Sequence, residues 1–199
     1  MNIIILDSFI ELVPIDWNKS EAIKKYLTKF KRLPLKNASS HQHLLKNIPL
    51  YDRFDRPDIL HFGLLTILGY VNFIPNMSIY FSIKDTIYEV SSNIRLPRDQ
   101  TRFYGILEGI LSNKYKENLI KPVSFSIGDF STPSIAFSKN GRKISKSDYK
   151  SKTFIFGGFP RGNFKTSLPN ECELVSLSNN SLDLWTSLSY FLSNYIIEN

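Results

Sequence analysis

With 199 residues, a single cysteine and a net charge of +7 (25 Lys+Arg against 18 Asp+Glu), the chain has the size of one domain with a real core, and its basic balance favours a polyanionic partner. RNA, DNA or an anionic membrane surface all fit that charge. No apolar run approaches the ~20 residues that span a bilayer, and Ile3-Ile4-Ile5-Leu6 is too short, and lacks the basic start, of a signal peptide, so a soluble, cytoplasmic protein is expected.

One cysteine excludes an internal disulfide framework. With only His41, His43 and His61 beside it, no zinc or other metal site is expected, and Cys172 reads as an ordinary strand-flank residue.

In chain order, Asn2 to Leu6 is a short β-branched run and reads as a strand; Ser20 to Lys31 is an amphipathic helix leading into Pro34. Residues 37 to 56 are polar and irregular, with room for a short helix at His41 and His43. Pro57 then opens an apolar helix, Asp58 to Gly69, because proline suits a first helical turn and glycine a stop. Met77 to Ile83 and Thr86 to Val90 alternate like a hairpin across Lys84-Asp85.

The next segment, Ile94-Arg95-Leu96-Pro97-Arg98-Asp99-Gln100-Thr101-Arg102-Phe103, carries arginines at offsets of zero, three and seven. Pro97 stays outside a helix and Asp99 can accept from backbone N–H groups just beyond it, so a helix is predicted from Gln100 to about Leu111. Guanidinium groups match phosphate oxygens bidentately, and three of them beside a helix N-terminus suit a folded anionic polymer. The same spacing also suits a solvated helix face.

Ser112 to Thr132 is poorly periodic, after which the pattern reads strand, helix, strand, strand, helix. Ser134 to Phe137, Thr153 to Phe156 and Glu173 to Leu177 are the strands, the basic segment Lys139 to Lys150 lies between the first two, and Leu182 to Ile197 closes the chain as a helix. Alternating strands and helices predict an α/β fold, a mostly parallel sheet flanked by helices, with ligands beyond the carboxyl ends of the strands.

Gly157-Gly158-Phe159-Pro160-Arg161-Gly162 follows the middle of these strands. Three glycines in six residues allow a sharp turn or close approach of a ligand to backbone. They lack the G-x-G-x-x-G spacing of a dinucleotide fingerprint, and Asn163 stands where a P-loop has its lysine. Val175-Ser176-Leu177-Ser178-Asn179-Asn180 leads into the last helix; its small polar residues can offer backbone groups to an adenine edge, or cap the helix through Asn180 or Ser181.

Arg56-Pro57-Asp58-Ile59-Leu60-His61, then Arg95-Leu96-Pro97-Arg98 with Arg102-Phe103, then Gly157 to Gly162, and finally Val175-Ser176-Leu177 with Leu182 and Trp185-Thr186, resemble in order and spacing the SPOUT-class pseudouridine-N1-methyltransferases of small-subunit ribosomal RNA. The resemblance runs nearly end to end, so residues 1–199 are expected to form a single SPOUT domain, and the lack of a long N-terminal extension looks more like the archaeal members. It implies an α/β fold with a C-terminal deep trefoil knot, homodimers formed by helices beside the knot, and S-adenosylmethionine bound in the knot loops. Carried over by position, the cofactor residues are Ser138, Gly157 to Gly162, and Val175, Ser176, Leu177, Ser178, Asn179 and Asn180. The RNA-gripping residues are Arg56, Arg95, Arg98 and Arg102.

Pseudouridine leaves a ring N–H where uridine has its glycosidic bond, and that nitrogen becomes a nucleophile once its proton leaves. In-line attack on a sulfonium methyl needs mostly positioning and proton removal. Asp58, beside Arg56, is the candidate base or base-orienting group; it also suits a purely structural role, capping its helix or pairing with an arginine. His61 reads as a buried, hydrogen-bonded residue. Trp185, Phe103 and Tyr104 are candidates for stacking on flipped bases, with core packing the safer reading for Trp185.

The chain departs from the family at Arg53-Phe54-Asp55-Arg56-Pro57-Asp58, where members carry Arg-Gly-Arg-Pro-Asp, at Gly69-Tyr70-Val71-Asn72-Phe73 in place of Asp-Ser-Pro-Leu-Asn, and at Leu35-Lys36-Asn37. Two other classes fit: an RNA-binding ribosome-assembly factor without turnover, and a SPOUT methyltransferase for another RNA base.

Overall fold

The computed structural model describes residues 1–14, 21–36, 56–130 and 132–199. The expected helix at His41 and His43, and the altered segment Arg53-Phe54-Asp55, lie outside the described residues.

Strand β1 (Asn2–Ser8) is the centre of a seven-stranded sheet. Helix α1 (Glu21–Phe30) and helix α2 (Pro57–Tyr70) follow. Next come the hairpin β2 (Ser78–Ile83) and β3 (Thr86–Val90), helix α3 (Gln100–Leu111) and the short strand β4 (Ile120–Pro122). The C-terminal part holds β5 (Ser134–Lys143), β6 (Thr153–Gly157), β7 (Glu173–Ser176) and helix α4 (Leu184–Glu198). The strand order is β4-β3-β2-β1-β6-β5-β7. β1 pairs in parallel with β2 and β6, and β5 in parallel with β6 and β7, while β3 is antiparallel to both its neighbours.

The parallel strands therefore end together at one edge.

Alternation along β1 splits the core between two faces, as a period of two requires. Ile3 and Ile5 join the larger cluster with residues of α2, α3 and α4, among them Leu60, Phe103 and Phe191. Ile4 and Leu6 join a smaller cluster closed by Phe130, Phe164 and Leu168 from irregular segments. Cys172 packs at its margin, where burial pushes the thiol pKa up, consistent with an inert residue. No described helix is long and apolar enough to cross a membrane.

Most predicted elements appear with shifted ends. α2 runs through Gly69 to Tyr70, and α4 starts behind Asp183, whose carbonyl accepts from Ser187 N at 2.9 Å, so neither Asn180 nor Ser181 is its cap. The poorly periodic stretch contains β4 and a 3₁₀ turn at Ile127–Asp129.

The largest correction is the basic segment after Phe137, which the strand-helix reading made helical. β5 instead continues through Lys143 and ends in a 3₁₀ turn, Lys146–Lys150. The pairing with β7 slips between Phe137 and Arg142, both of which oppose Val175, so Ser138 to Gly141 bulge out of the ladder. Gly141 permits the bulge: a Cβ there would lie 2.5 Å from the backbone of Leu174 and Val175.

Asp148 anchors the end of this segment. Its carboxylate accepts from Arg142 Nη1 at 2.8 Å and Nη2 at 2.7 Å, and from Ser145 N at 2.7 Å and Oγ at 2.9 Å, and these bonds, the Arg142 pair first, hold its pKa down at about 2. A carboxylate depressed in the folded state stabilises above its unfolded pKa near 4, and that contribution disappears as pH falls toward about 2. Melting temperature followed from pH 5 to ~2 should therefore fall more steeply for the unmodified chain than for Asp148→Asn.

Candidate active site

Beyond the carboxyl ends of β5, β6 and β7 lies a cavity of about 570 Å³. Its walls come from the β5 bulge, the glycine-rich loop after β6, the loop after β7 and the N-terminal ends of α2 and α4. Of the predicted cofactor residues, Ser138, Gly157, Gly162, Ser176, Leu177, Ser178 and Asn180 line it. Val175 is fully buried beneath it as a strand residue, and Asn179 is exposed and does not reach it.

The glycines have distinct local reasons. Gly162 has φ 95°, a conformation that L side chains rarely adopt. A Cβ on Gly157 would lie 2.7 Å from the Phe159 ring, which folds back over it. In the loop after β7, Ser176 Oγ donates to Ser178 O at 2.6 Å and Ser178 Oγ accepts from Asn180 N at 3.1 Å, so the turn is held by its own side chains.

Arg56 and Ile59 are the residues of the amino-terminal half that line the cavity, Arg56 being the charged one. Arg56 precedes α2 and makes a two-pronged pair with Asp58: Nε to Oδ1 at 2.8 Å and Nη2 to Oδ2 at 2.8 Å. That pair raises the guanidinium pKa, with Tyr104 and Asp183 also within electrostatic reach. Asp58 does not line the cavity, and both of its carboxylate oxygens accept from the Arg56 guanidinium.

Arg95, Arg98 and Arg102 are exposed, and none has an ion-pair partner among the described residues. Asp99 caps α3 as predicted, its Oδ1 accepting from Arg102 N at 2.9 Å. The arginine segment is fastened to α2 by His61, which is fully buried. Its Nε2 lies 2.7 Å from Pro97 O, and since a carbonyl only accepts, Nε2 carries the proton. The ring stacks on Phe103 at 4.4 Å. Phe103, also fully buried, is thereby removed from the candidates for base stacking.

Trp185 moves the other way. It is half-buried, lines the cavity and meets Phe62 edge-on at 5.3 Å, rather than packing in the core. Arg161, within the predicted Gly157 to Gly162 loop, also lines the cavity, whereas sequence reasoning missed Lys139 and Asp183. Lys139 lay next to Ser138 in the basic segment, and its charge was the available signal; Asp183 carried none.

A largely parallel sheet with a ligand-sized cavity over its carboxyl edge, built from a strand bulge, a glycine-rich loop and a polar turn, defines an α/β protein of the nucleotide- or cofactor-binding kind. Residues 3–196 match the model of the EMG1/NEP1 methyltransferase family, and the chain belongs to that family. A ribosomal RNA small subunit methyltransferase Nep1 from Methanothrix thermoacetophila is 30% identical, over 98% of this chain and 95% of the relative. The protein of the same name from Pyrococcus furiosus is 29% identical, over 98% and 96%. The crystal structure of Archaeoglobus fulgidus Nep1 bound to S-adenosylhomocysteine superposes with a TM-score of 0.84 at 22% identity, covering 98% of this chain and 96% of that one, and shows the same fold.

Proposed function

We propose that this chain is an S-adenosylmethionine-dependent methyltransferase acting on N1 of a pseudouridine in small-subunit ribosomal RNA, and so contributes to small-subunit biogenesis. In this reading residues 1–199 are one SPOUT domain with a C-terminal trefoil knot, working in the cytoplasm as a homodimer. The observation that carries it is that one cavity gathers all three predicted cofactor loops and has Arg56 at its wall.

The lining fits the donor's chemistry. Leu177, Leu182 and Phe156 supply apolar surface for a purine, Ser138, Ser176, Ser178 and Asn180 supply polar groups for its edge and a ribose, and Lys139 and Arg161 are cations suited to an amino-acid carboxylate. When bound, S-adenosylmethionine supplies an electrophilic methyl group. The chain's own residues do the rest by positioning. Arg56, held by Asp58, neutralises a phosphate flanking the target, Trp185 offers a face to an unstacked base, and Arg95, Arg98 and Arg102 hold the surrounding RNA.

Calorimetric titration with S-adenosylhomocysteine should show one site per chain, and Leu177→Asp should weaken it at least tenfold. Absence of binding by the unmodified chain contradicts the proposal. On the RNA side, Arg98→Ala and Arg102→Ala should each lower the slope of log affinity against log salt by about one unit and leave S-adenosylhomocysteine affinity intact. Unchanged slopes would return these residues to a solvated helix face.

A further inference from the structure

The chemistry described so far makes no use of Asp7, although its placement is unusual. It is a charged residue only 4% exposed, at the carboxyl end of the central strand, with φ 62°. Its carboxylate points across the sheet edge to the far end of the glycine-rich loop. Oδ2 accepts from Lys165 N at 2.6 Å, both oxygens lie 3.3 Å from Thr166 N, and Oδ1 accepts from Thr166 Oγ1 at 2.6 Å. Asp7 N in turn donates to Ser82 Oγ of β2 at 2.9 Å.

The near end of the same loop is tied to the same spot. Gly158 N donates to Leu6 O at 2.6 Å, and a Cβ on Gly158 would collide with Ser8 Oγ and lie 2.9 Å from Ile5 Cγ2. Residues 159–164, every one of which lines the cavity, are thus a short arch whose two feet both rest on the last turn of β1.

We infer that Asp7 is a positioning residue for methyl-donor binding: it fixes the far foot of the 159–164 arch and so sets the width of the cavity. This rests on the donor assignment above. Asp7 is not part of the lining and touches no reacting group. A carboxylate suits the task because its acceptor-only oxygens face two backbone N–H groups and a hydroxyl converging from one segment. Supporting groups of this kind hold a site to within a fraction of an ångström, and their loss shows as weaker ligand binding in a folded protein.

Asp7→Asn is the informative variant. Asparagine tolerates positive φ, but its NH2 must face a donor, so the backbone is spared while the pin is damaged. Thr166→Val removes only the hydroxyl donor.

The test is calorimetric titration of S-adenosylhomocysteine into the full-length unmodified chain and both variants, with a thermal melt of each and affinity for an RNA hairpin as the control. Asp7→Asn should weaken S-adenosylhomocysteine binding at least tenfold and Thr166→Val about threefold, with hairpin affinity unchanged and a cooperative melt retained. In turnover, KM for S-adenosylmethionine should rise more than kcat falls. Should Asp7→Asn fail to fold, Thr166→Val decides alone. Folded variants that bind S-adenosylhomocysteine as tightly as the unmodified chain overturn the inference and leave the donor assignment standing, whereas an unmodified chain that binds none overturns the donor assignment first.

Discussion

Arg56→Ala should lower kcat/KM for a pseudouridine-containing RNA hairpin by roughly two to three orders of magnitude, the largest loss expected from any single change that leaves the core alone. Arg56, at the start of α2, is the charged residue of the amino-terminal half that lines the cavity, and its guanidinium is held in place by donating two hydrogen bonds of 2.8 Å to Asp58. A cation so fixed does not need to reorganise as RNA arrives, and a misplaced target base costs far more in rate than in affinity. Arg56→Lys should rescue little, since an ammonium cannot keep the two-pronged pair.

Asp58→Asn should remain folded and lose activity by a smaller factor, ~10-fold, because it loosens the arginine instead of deleting it. If Asp58 were itself the base that takes the N1 proton, Asp58→Asn would be the more damaging of the two, and a kinetic comparison of the pair separates the roles. The two-pronged contact favours orientation, since both carboxylate oxygens are occupied in accepting from the guanidinium.

The second large effect is expected at Gly158. Valine there should abolish S-adenosylhomocysteine binding and reduce stability by ~2–3 kcal/mol in a urea titration. Its Cβ would meet the stiff Ile5 Cγ2 at 2.9 Å and Leu6 O at 3.2 Å, and the added methyls have nowhere to go beneath the arch. Prying Gly158 from β1 also breaks its 2.6 Å hydrogen bond to Leu6 O. Gly69→Ala is the control: nothing lies within 4 Å of a Cβ at that position, so substitution should be neutral or slightly stabilising.

Why some of this could be read from sequence and some not follows from the range of the interactions. Asp99 capping α3 and Pro57 opening α2 were legible because each is decided within four residues. The hairpin β2-β3 was legible because its alternation and turn are local as well. The strand character of Lys139-Asn140-Gly141-Arg142-Lys143 was not. No apolar period marks it, and it is a strand because β7 lies alongside and because Asp148 and Glu173 pair with Arg142. Asp7 was invisible for the same reason at longer range, its partners lying 158 and 159 positions away. Trp185 looked like core because α4 is apolar, yet its position one residue into the helix places it at the cavity mouth.

That the three donor loops belong to one site was legible only through resemblance. Glycine spacing alone fitted no phosphate-binding fingerprint, and what unites Ser138, Gly157 to Gly162 and Ser176 to Asn180 is the parallel order of β6, β5 and β7, which brings their carboxyl ends side by side. Arg56, from the first half of the chain, meets that backbone at the cavity wall.

The measurement that bears most directly on this arrangement is transfer of a labelled methyl group from S-adenosylmethionine to two short hairpins identical except for uridine or pseudouridine at one loop position. The account predicts label on the pseudouridine hairpin alone, at N1. Equal labelling of both, or RNA binding with no transfer to either, would contradict it.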